Sequence, residues 1–347
     1  MKLKNSLSLP LDKFIDLSLY DKNQGYYMKG NPFGKEGDFI TAPNVSRLFS
    51  EMIAVWIISF WQSLGSPKKF NLIELGAGNG EMMKVLLESF KNFPSFHKSC
   101  NIFIYEKSPS LISIQKRKLK KDRIVWISKI NKLKKGPCVF IANEFFDSIA
   151  IKQFRKKKNF WFEKFVRINK KRSYFFEKKT EIKKIEKKIK FQISKDQNFI
   201  EYSEEGINYL REISSTIKKN LGGLLLIDYG YVSNKMKNTL QAVSNHRFSN
   251  ILKNIGNSDI THNINFNLFK KIVKNMGGLD TKLTNQKKFL INIGIKERAE
   301  IISAKQTFLK KADIYLRLQR LIDEKQMGDL FKVMLIKNKN NKFKLGF

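Results

Sequence analysis

Acids and alternate glycines are the residues of this chain whose spacing could do chemistry. Glu74, Gly76, Gly78 and Gly80 recur at every second position in Asn71-Leu72-Ile73-Glu74-Leu75-Gly76-Ala77-Gly78-Asn79-Gly80-Glu81. An apolar run ends in an acid, and after the glycines Met82, Met83, Val85, Leu86 and Leu87 supply a helical apolar face. That pattern reads as buried strand, tight turn and helix. Glycines admit positive φ and let a ligand approach the main chain. The helix that follows presents unpaired N–H groups. Two cofactor classes use such turns, and a bare glycine-rich connection is the alternative to both. The dinucleotide fingerprint is G-x-G-x-x-G, with a pyrophosphate on the helix N-terminus. Here the third glycine comes one residue early, and Glu81 stands in its place, where a carboxylate would repel a pyrophosphate. The order E-x-G-x-G-x-G suits S-adenosylmethionine, a cation without phosphates. The expected contacts at the turn are Glu74, Gly76, Ala77, Gly78 and Gly80.

Further acids follow apolar runs. Glu106 comes just after residues 101–105, where a carboxylate can accept hydrogen bonds from both hydroxyls of a ribose. Residues 137–142 lead into Asn143-Glu144-Phe145-Phe146-Asp147. Aromatics can wall a cation, and carboxylates can hold and orient it; a turn capped by Asn and Asp would carry the same letters. Upstream, Gly37-Asp38-Phe39-Ile40-Thr41-Ala42-Pro43 packs an acid and a hydroxyl among glycine, aromatic and proline. That is more specific than a spacer needs. His262 closes a later polar cluster, Asp259-Ile260-Thr261-His262.

The elements that must position these residues follow from periodicity. Strands are expected at 70–75, 101–105, 124–127 and 137–142, with helices at 80–90 and 109–120 between them. Such alternation implies α/β structure: a doubly wound, mostly parallel Rossmann-like sheet, with ligands at the strand C-termini. Residues 1–65 read as an N-terminal cap on the substrate side, with helices at 12–19 and 46–64. Residues 66–347 read as the Rossmann-like domain. Around 151–200, aromatics alternate with lysines, which predicts antiparallel hairpins inserted on that sheet. A helix at 204–220, a strand at 224–230, helices at 265–276 and 312–324, and a closing strand at 329–336 complete the reading.

Composition narrows the classes. The chain has 347 residues, 42% of them hydrophobic, which is enough for a large core. No apolar run reaches the length of a membrane span, and no secretory leader is expected at the N-terminus. Two cysteines make a disulfide framework improbable and a reducing cytoplasm the default. With three histidines at no ligand spacing, no metal site is expected. The formal charge of +36 invites a nucleic-acid reading, but only 11 of the 67 basic residues are arginine. Arginine is the better reader of phosphates and bases, so the charge reads as diffuse surface lysine.

Taken in order, these motifs resemble the MidA-like family, whose mitochondrial members are complex I assembly factors and protein arginine methyltransferases. The matching stretches are 37–43, 74–80, Glu106-Lys107-Ser108-Pro109, 142–147, Ile227-Asp228-Tyr229-Gly230, Thr239-Leu240-Gln241-Ala242, 259–262 and Phe289-Leu290. The resemblance covers nearly the whole chain. It departs from the family at Ala150, where a proline is usual, and at Asn265, where an acid is usual. It implies a class I S-adenosylmethionine-dependent methyltransferase acting on arginine in a protein, with a respiratory complex I subunit as a possible partner. On this reading Glu144 and Asp147 are catalytic. Asn143 joins the cofactor contacts, and Asp38, Thr41 and His262 touch substrate. The compartment would be bacterial cytoplasm, or the mitochondrial matrix for a eukaryotic source. A non-catalytic assembly protein that kept the fold, and an RNA methyltransferase favoured by the charge, are the competing readings. The oligomeric state is left open.

Overall fold

The computed structural model describes residues 7–30, 32, 34, 41–120, 123–130, 133, 136–169, 172–244 and 247–347. Asp38 lies outside them. The chain starts with strand β1 (Leu7–Pro10) and helix α1 (Leu11–Tyr20). One turn, α2 (Ala42–Val45), precedes the long α3 (Arg47–Ser63), which begins where the Ser46 hydroxyl accepts from the Leu48 N–H. Strand and helix then alternate as periodicity implies. The run is β2 (Phe70–Leu75), α4 (Glu81–Phe90), α5 (Pro94–Ser99), β3 (Cys100–Tyr105), α6 (Pro109–Lys118), β4 (Ile124–Ile127) and β5 (Cys138–Asn143).

The middle of the chain is β6 (Lys152–Lys157), β7 (Phe160–Ile168), β8 (Tyr174–Thr180), α7 (Ile182–Ile189) and β9 (Phe199–Tyr202). Then come α8 (Glu204–Asn220), β10 (Gly222–Tyr231), β11 (Gln241–Ser244), β12 (Arg247–Ser249), β13 (Asp259–Thr261), β14 (Ile264–Asn265) and α9 (Phe266–Met276). The chain closes with β15 (Leu279–Asn285), α10 (Gln286–Asn292), α11 (Ile295–Ser303), α12 (Phe308–Ile322) and β16 (Phe331–Asn338).

The central sheet runs β15-β16-β10-β5-β2-β3-β4. From β10 to β4 every neighbouring pair is parallel, whereas β16 is antiparallel to both β10 and β15. Strand order reverses between β2 and β5, which opens a crevice at their C-terminal ends. Side chains alternate faces along each strand. Leu72, Val139 and Ile141 enter the core built with α3 and α4, around Trp56 and Phe60. Ile73, Leu75 and Phe140 enter the opposite core with α8 and α9, around Leu210 and Phe269. Both faces are buried, so the inner strands are continuously apolar. The glycine pair that opens β10 has a steric cause. A Cβ at Gly222 would sit 2.3 Å from the Cys138 carbonyl oxygen, and one at Gly223 would sit 2.7 Å from the Phe60 ring.

The hairpins after residue 150 are antiparallel, as the alternation predicts, and stand apart from the central sheet. They form a second, antiparallel sheet in which β7 pairs with β6, β8 and the N-terminal β1, with β9 on the far side of β6. Helix α12 starts at Phe308, earlier than the expected residue 312. The closing strand β16 lies inside the sheet, and β15, whose alternating polar residues hid it, occupies the edge. A boundary at residue 65 also cuts across the packing, since α3 belongs to the central core while α1 packs with Ile151, Val166 and Ile168.

Asn265 supplies the start of α9, its side-chain oxygen accepting from the N–H groups of Asn267 and Leu268. Replacing it with alanine should cost about 1 kcal/mol. An aspartate there keeps the acceptor and adds favourable charge at the helix N-terminus. Urea denaturation should show a lower midpoint for Asn265→Ala and none of that loss for Asn265→Asp.

Candidate active site

The glycine turn follows β2 with positive φ at Gly76, Gly78 and Gly80, of 64°, 54° and 76°. Gly80 precedes α4 in the left-handed conformation. A Cβ at Gly76 would stand 2.9 Å from the Phe145 ring, so that position is closed to larger residues from two directions. Glu81 is paired with Lys118 at 2.7 Å, which weakens its repulsion toward anions relative to the sequence argument.

Three cavities open along the C-terminal edge of the sheet, and Glu144 borders all of them. The first, about 590 Å³ including space open to solvent, is walled by Tyr20, Tyr27, Tyr105, Leu111, Phe145 and Tyr209, with Gly76, Gly78 and Glu106 also lining it. Glu106 is held in place there. Its carboxylate accepts from the N–H groups of Lys107 and Ser108 and from Gln115 Nε2 at 2.9, 3.0 and 3.1 Å. Gln115 Nε2 also donates to the Gly78 carbonyl at 2.9 Å, linking the acid to the turn. Burial, only partly offset by those donors, raises the Glu106 pKa.

The second cavity, about 390 Å³, is lined by Glu74, Gly76, Ala77, Gly78, Asn143 and Thr41, among others. Glu74 is 2% exposed. Burial, with Glu106 adding repulsion, pushes its pKa to about 8. Its Oε2 and the Asn143 Oδ1 are buried without a partner among the described residues. Unmet acceptors beside close-approach glycines fit a ligand that carries N–H donors and positive charge.

The third cavity, about 890 Å³, has Glu144, Asp147 and Asp259 on its wall with Tyr27, Tyr229, Thr41 and Gln241. Phe248 and Leu330 stand at its rim. The loop that carries the first two acids is fixed from behind by Asp228, a fully buried carboxylate three residues before the end of β10. Its oxygens accept from the N–H groups of Phe146, Asp147 and Tyr229 at 3.0, 3.3 and 2.8 Å. Glu144 sits at φ 51°, in the left-handed region, pinned where its N–H meets the Ile227 carbonyl. Its Oε1 accepts from Asn143 Nδ2 at 3.2 Å and the Ala42 N–H at 3.4 Å.

Burial dominates the electrostatics of this cluster. It pushes Glu144 up to about 7 and raises Asp147 and Asp228 well above the usual carboxylate range. Asp147 is raised further by Asp228, Glu144 and Asp259. Three backbone donors favour the ionised form of Asp228 and partly offset its burial. Asp147 Oδ1 is a further buried atom without a partner among the described residues.

The sequence-derived residues thus divide. Glu74, Gly76, Ala77, Gly78 and Asn143 converge on the second cavity, Glu106 lines the first, and Gly80 supports the turn. Glu144 and Asp147 share the third with Thr41. His262 lies behind the loop: its N–H donates to the Asp147 carbonyl, and it is not among the residues lining these cavities. Burial holds its ring neutral, with a pKa near 4. Sequence reasoning left Tyr27 and Tyr209 out of the site. Asp228 ends an apolar run just as Glu74 does, so the same strand-end rule finds it.

Comparisons with known proteins agree on a class. The profile of a family described as "Putative S-adenosyl-L-methionine-dependent methyltransferase" matches residues 52–284. A relative from Xenopus tropicalis, "Protein arginine methyltransferase NDUFAF7, mitochondrial", is 27% identical over 95% of this chain and 83% of its own length. The human protein of that name is 26% identical over 95% of this chain and 80% of its own. A crystal structure from Burkholderia thailandensis, bound to S-adenosyl-homocysteine, superposes with a TM-score of 0.81 at 23% identity. It covers 98% of this chain and 90% of its own.

The raised acids make stability depend on pH with a definite sign. Between about pH 4.5 and about pH 7, Glu144 holds its proton in the folded protein and loses it in the unfolded chain. The folded state binds more protons there, so this contribution to stability declines as pH rises. Glu144→Gln removes the titration. Its unfolding free energy relative to the wild type should therefore climb across that window, and a difference independent of pH would refute the assignment.

Proposed function

The chain belongs to the family described as S-adenosyl-L-methionine-dependent methyltransferases and is one of them; from that premise we propose that it methylates a guanidinium nitrogen of arginine in a protein. The observation that carries this reading is the acid-walled third cavity, which meets both others at Glu144. The family's cofactor, when bound, supplies a methyl group on a cationic sulfur. Glu74, Asn143 and the glycine turn hold its aminoacyl end, where Ala77 also lines the wall. Glu106 accepts from its ribose hydroxyls, and the aromatic first cavity takes its base.

A guanidinium stays protonated in proteins, with a pKa above about 12. Glu144 and Asp147 pin that charge and turn one nitrogen toward the junction of the cavities. A bidentate carboxylate pair is strong and geometrically selective. Bringing in the cation also favours the ionised forms of acids that burial alone keeps protonated. With a pKa near 7, Glu144 is a competent acceptor for the proton that the nitrogen loses on methylation. The enzyme's main contribution is positioning with water excluded. Thr41 lines the substrate side, and a substrate contact by Asp38, which lies outside the described residues, rests on the resemblance alone. His262 acts indirectly, by supporting the carbonyl of Asp147.

The arginine and protein specificities rest on the names of the relatives and on the acids. Those acids disfavour a polyanionic RNA as substrate. A respiratory complex I subunit as target remains part of this proposal, as does a mitochondrial or bacterial compartment according to source. No described helix is long and apolar enough to cross a membrane. The deciding experiment incubates the protein and labelled cofactor with cell extract and locates the methyl group by mass spectrometry. A methyl on lysine or RNA would overturn the reading, and no turnover would favour the assembly-protein alternative.

Two variants separate the roles. Glu106→Ala should weaken S-adenosylmethionine binding in calorimetry at least about tenfold, the loss of one or two charge-assisted hydrogen bonds. Glu144→Gln keeps the shape and should leave that affinity nearly intact, yet slow transfer by a factor corresponding to about 2–4 kcal/mol. Asp147→Asn measures whether one acid or both are needed. Unimpaired transfer in both loop variants would move the substrate pocket elsewhere.

A further inference from the structure

Helix α12 has two apolar sides and needs only one. Leu318 and Leu321 are buried against the body of the protein. Leu309 and Leu316 share the opposite side by helical spacing and are 79% and 66% exposed, and Phe308, in the first turn beside Leu309, is 83% exposed. On α11, Ile301 is 68% exposed. Residues 304–311, the turn between the helices and the first residues of α12, are exposed without a break. Phe308 and Leu309 therefore project from the tip of a helical hairpin. Lys305, Lys310 and Lys311 stand beside them in the same exposed run, with no acid among its residues.

Protruding apolar side chains with lysines next to them in the chain, and with the nearest acid on the helix, Asp313, already paired with Arg317, complement one kind of surface. A folded partner would need a pocket for the tip, and a second copy of this chain would bring another +36 charge against it. An anionic bilayer offers both a fluid apolar layer and negative headgroups at the depth where a lysine stem can reach them. We infer that the α11–α12 tip docks the protein on anionic membrane surfaces, lying on the bilayer rather than spanning it. No described helix meets the requirements of a span. The docking face lies on α11 and α12, while none of the residues lining the three cavities comes from those helices, so the inference does not rest on the substrate assignment.

The test is co-sedimentation of the full chain with phosphatidylcholine vesicles, with and without phosphatidylglycerol, at physiological salt. Diffuse lysine charge alone would also attract anionic vesicles, so the variants must separate it from the tip. The wild type should bind the anionic vesicles and bind the neutral ones far less. The double variant Phe308→Ser/Leu309→Ser leaves net charge unchanged and should lower partitioning about tenfold or more, with S-adenosylmethionine affinity as the control for folding. Lys310→Glu/Lys311→Glu should lower binding to anionic vesicles only. Undiminished binding by the serine variant would assign the effect to diffuse charge and overturn the inference. So would absence of binding by the wild type, which would leave the face to a protein partner. Sedimentation velocity showing a wild-type dimer that the serine variant dissolves would assign the face to self-association instead.

Discussion

The desolvation of carboxylates at the C-terminal edge of the sheet is the constraint on which the site depends. Glu74, Asp147, Asp228 and Asp259 are each at most 5% exposed, and burial raises Glu144 as well. An isolated buried charge is expensive, and several like charges in one cleft cannot all be kept. The fold meets the cost unevenly. Asp228 is given three backbone donors and becomes the anchor of a loop. Glu74 and Asp147 line cavities and each keep one buried oxygen without a partner among the described residues. The difference separates an acid engaged by the backbone from acids that keep acceptor capacity toward the cavities.

That arrangement also puts the chain's charge in perspective. The protein as a whole is strongly basic, yet its cleft is acidic, so the sign of the surface says little about what the cleft accepts. Lysines of the second sheet are largely taken up locally. Lys179 lies over the Phe160 ring at 3.5 Å, and Lys178 lies over those of Phe165 and Phe176. A half-buried aromatic face with lysine stems laid across it accounts for the alternation of the two residue types without a nucleic acid.

The β–turn–α units at β2 and β3 were legible because their signals are local: an apolar run, a glycine or proline, then a helical stripe. Strand β2 has the bounds the periodicity assigns, and α8 does too. Glu74, Glu106 and Glu144 could be found because strand-end acids in such a sheet face the crevice. What could not be read is pairing between distant segments. Nothing in residues 7–10 says that they will lie against residues 165–168, and Tyr27 reaches Asp259 only through the tertiary fold, at 2.9 Å. Strand β15 escaped notice because an edge strand with one solvated face has few apolar residues to show. The role of His262 was obscured by its type: a histidine beside an acid suggests chemistry, while its backbone makes the contact.

The pairing of β1 with β7 carries a consequence for how the protein is made. Tyr20 and Tyr27, which wall the first cavity, belong to a segment whose leading strand finds its partner about 160 residues later. As the chain leaves a ribosome, the glycine turn and Glu106 emerge long before the strand that holds this roof down. Contacts so far apart in sequence form late and slowly. The wall that Tyr20 and Tyr27 give the first cavity therefore cannot be secured until β7 has been made.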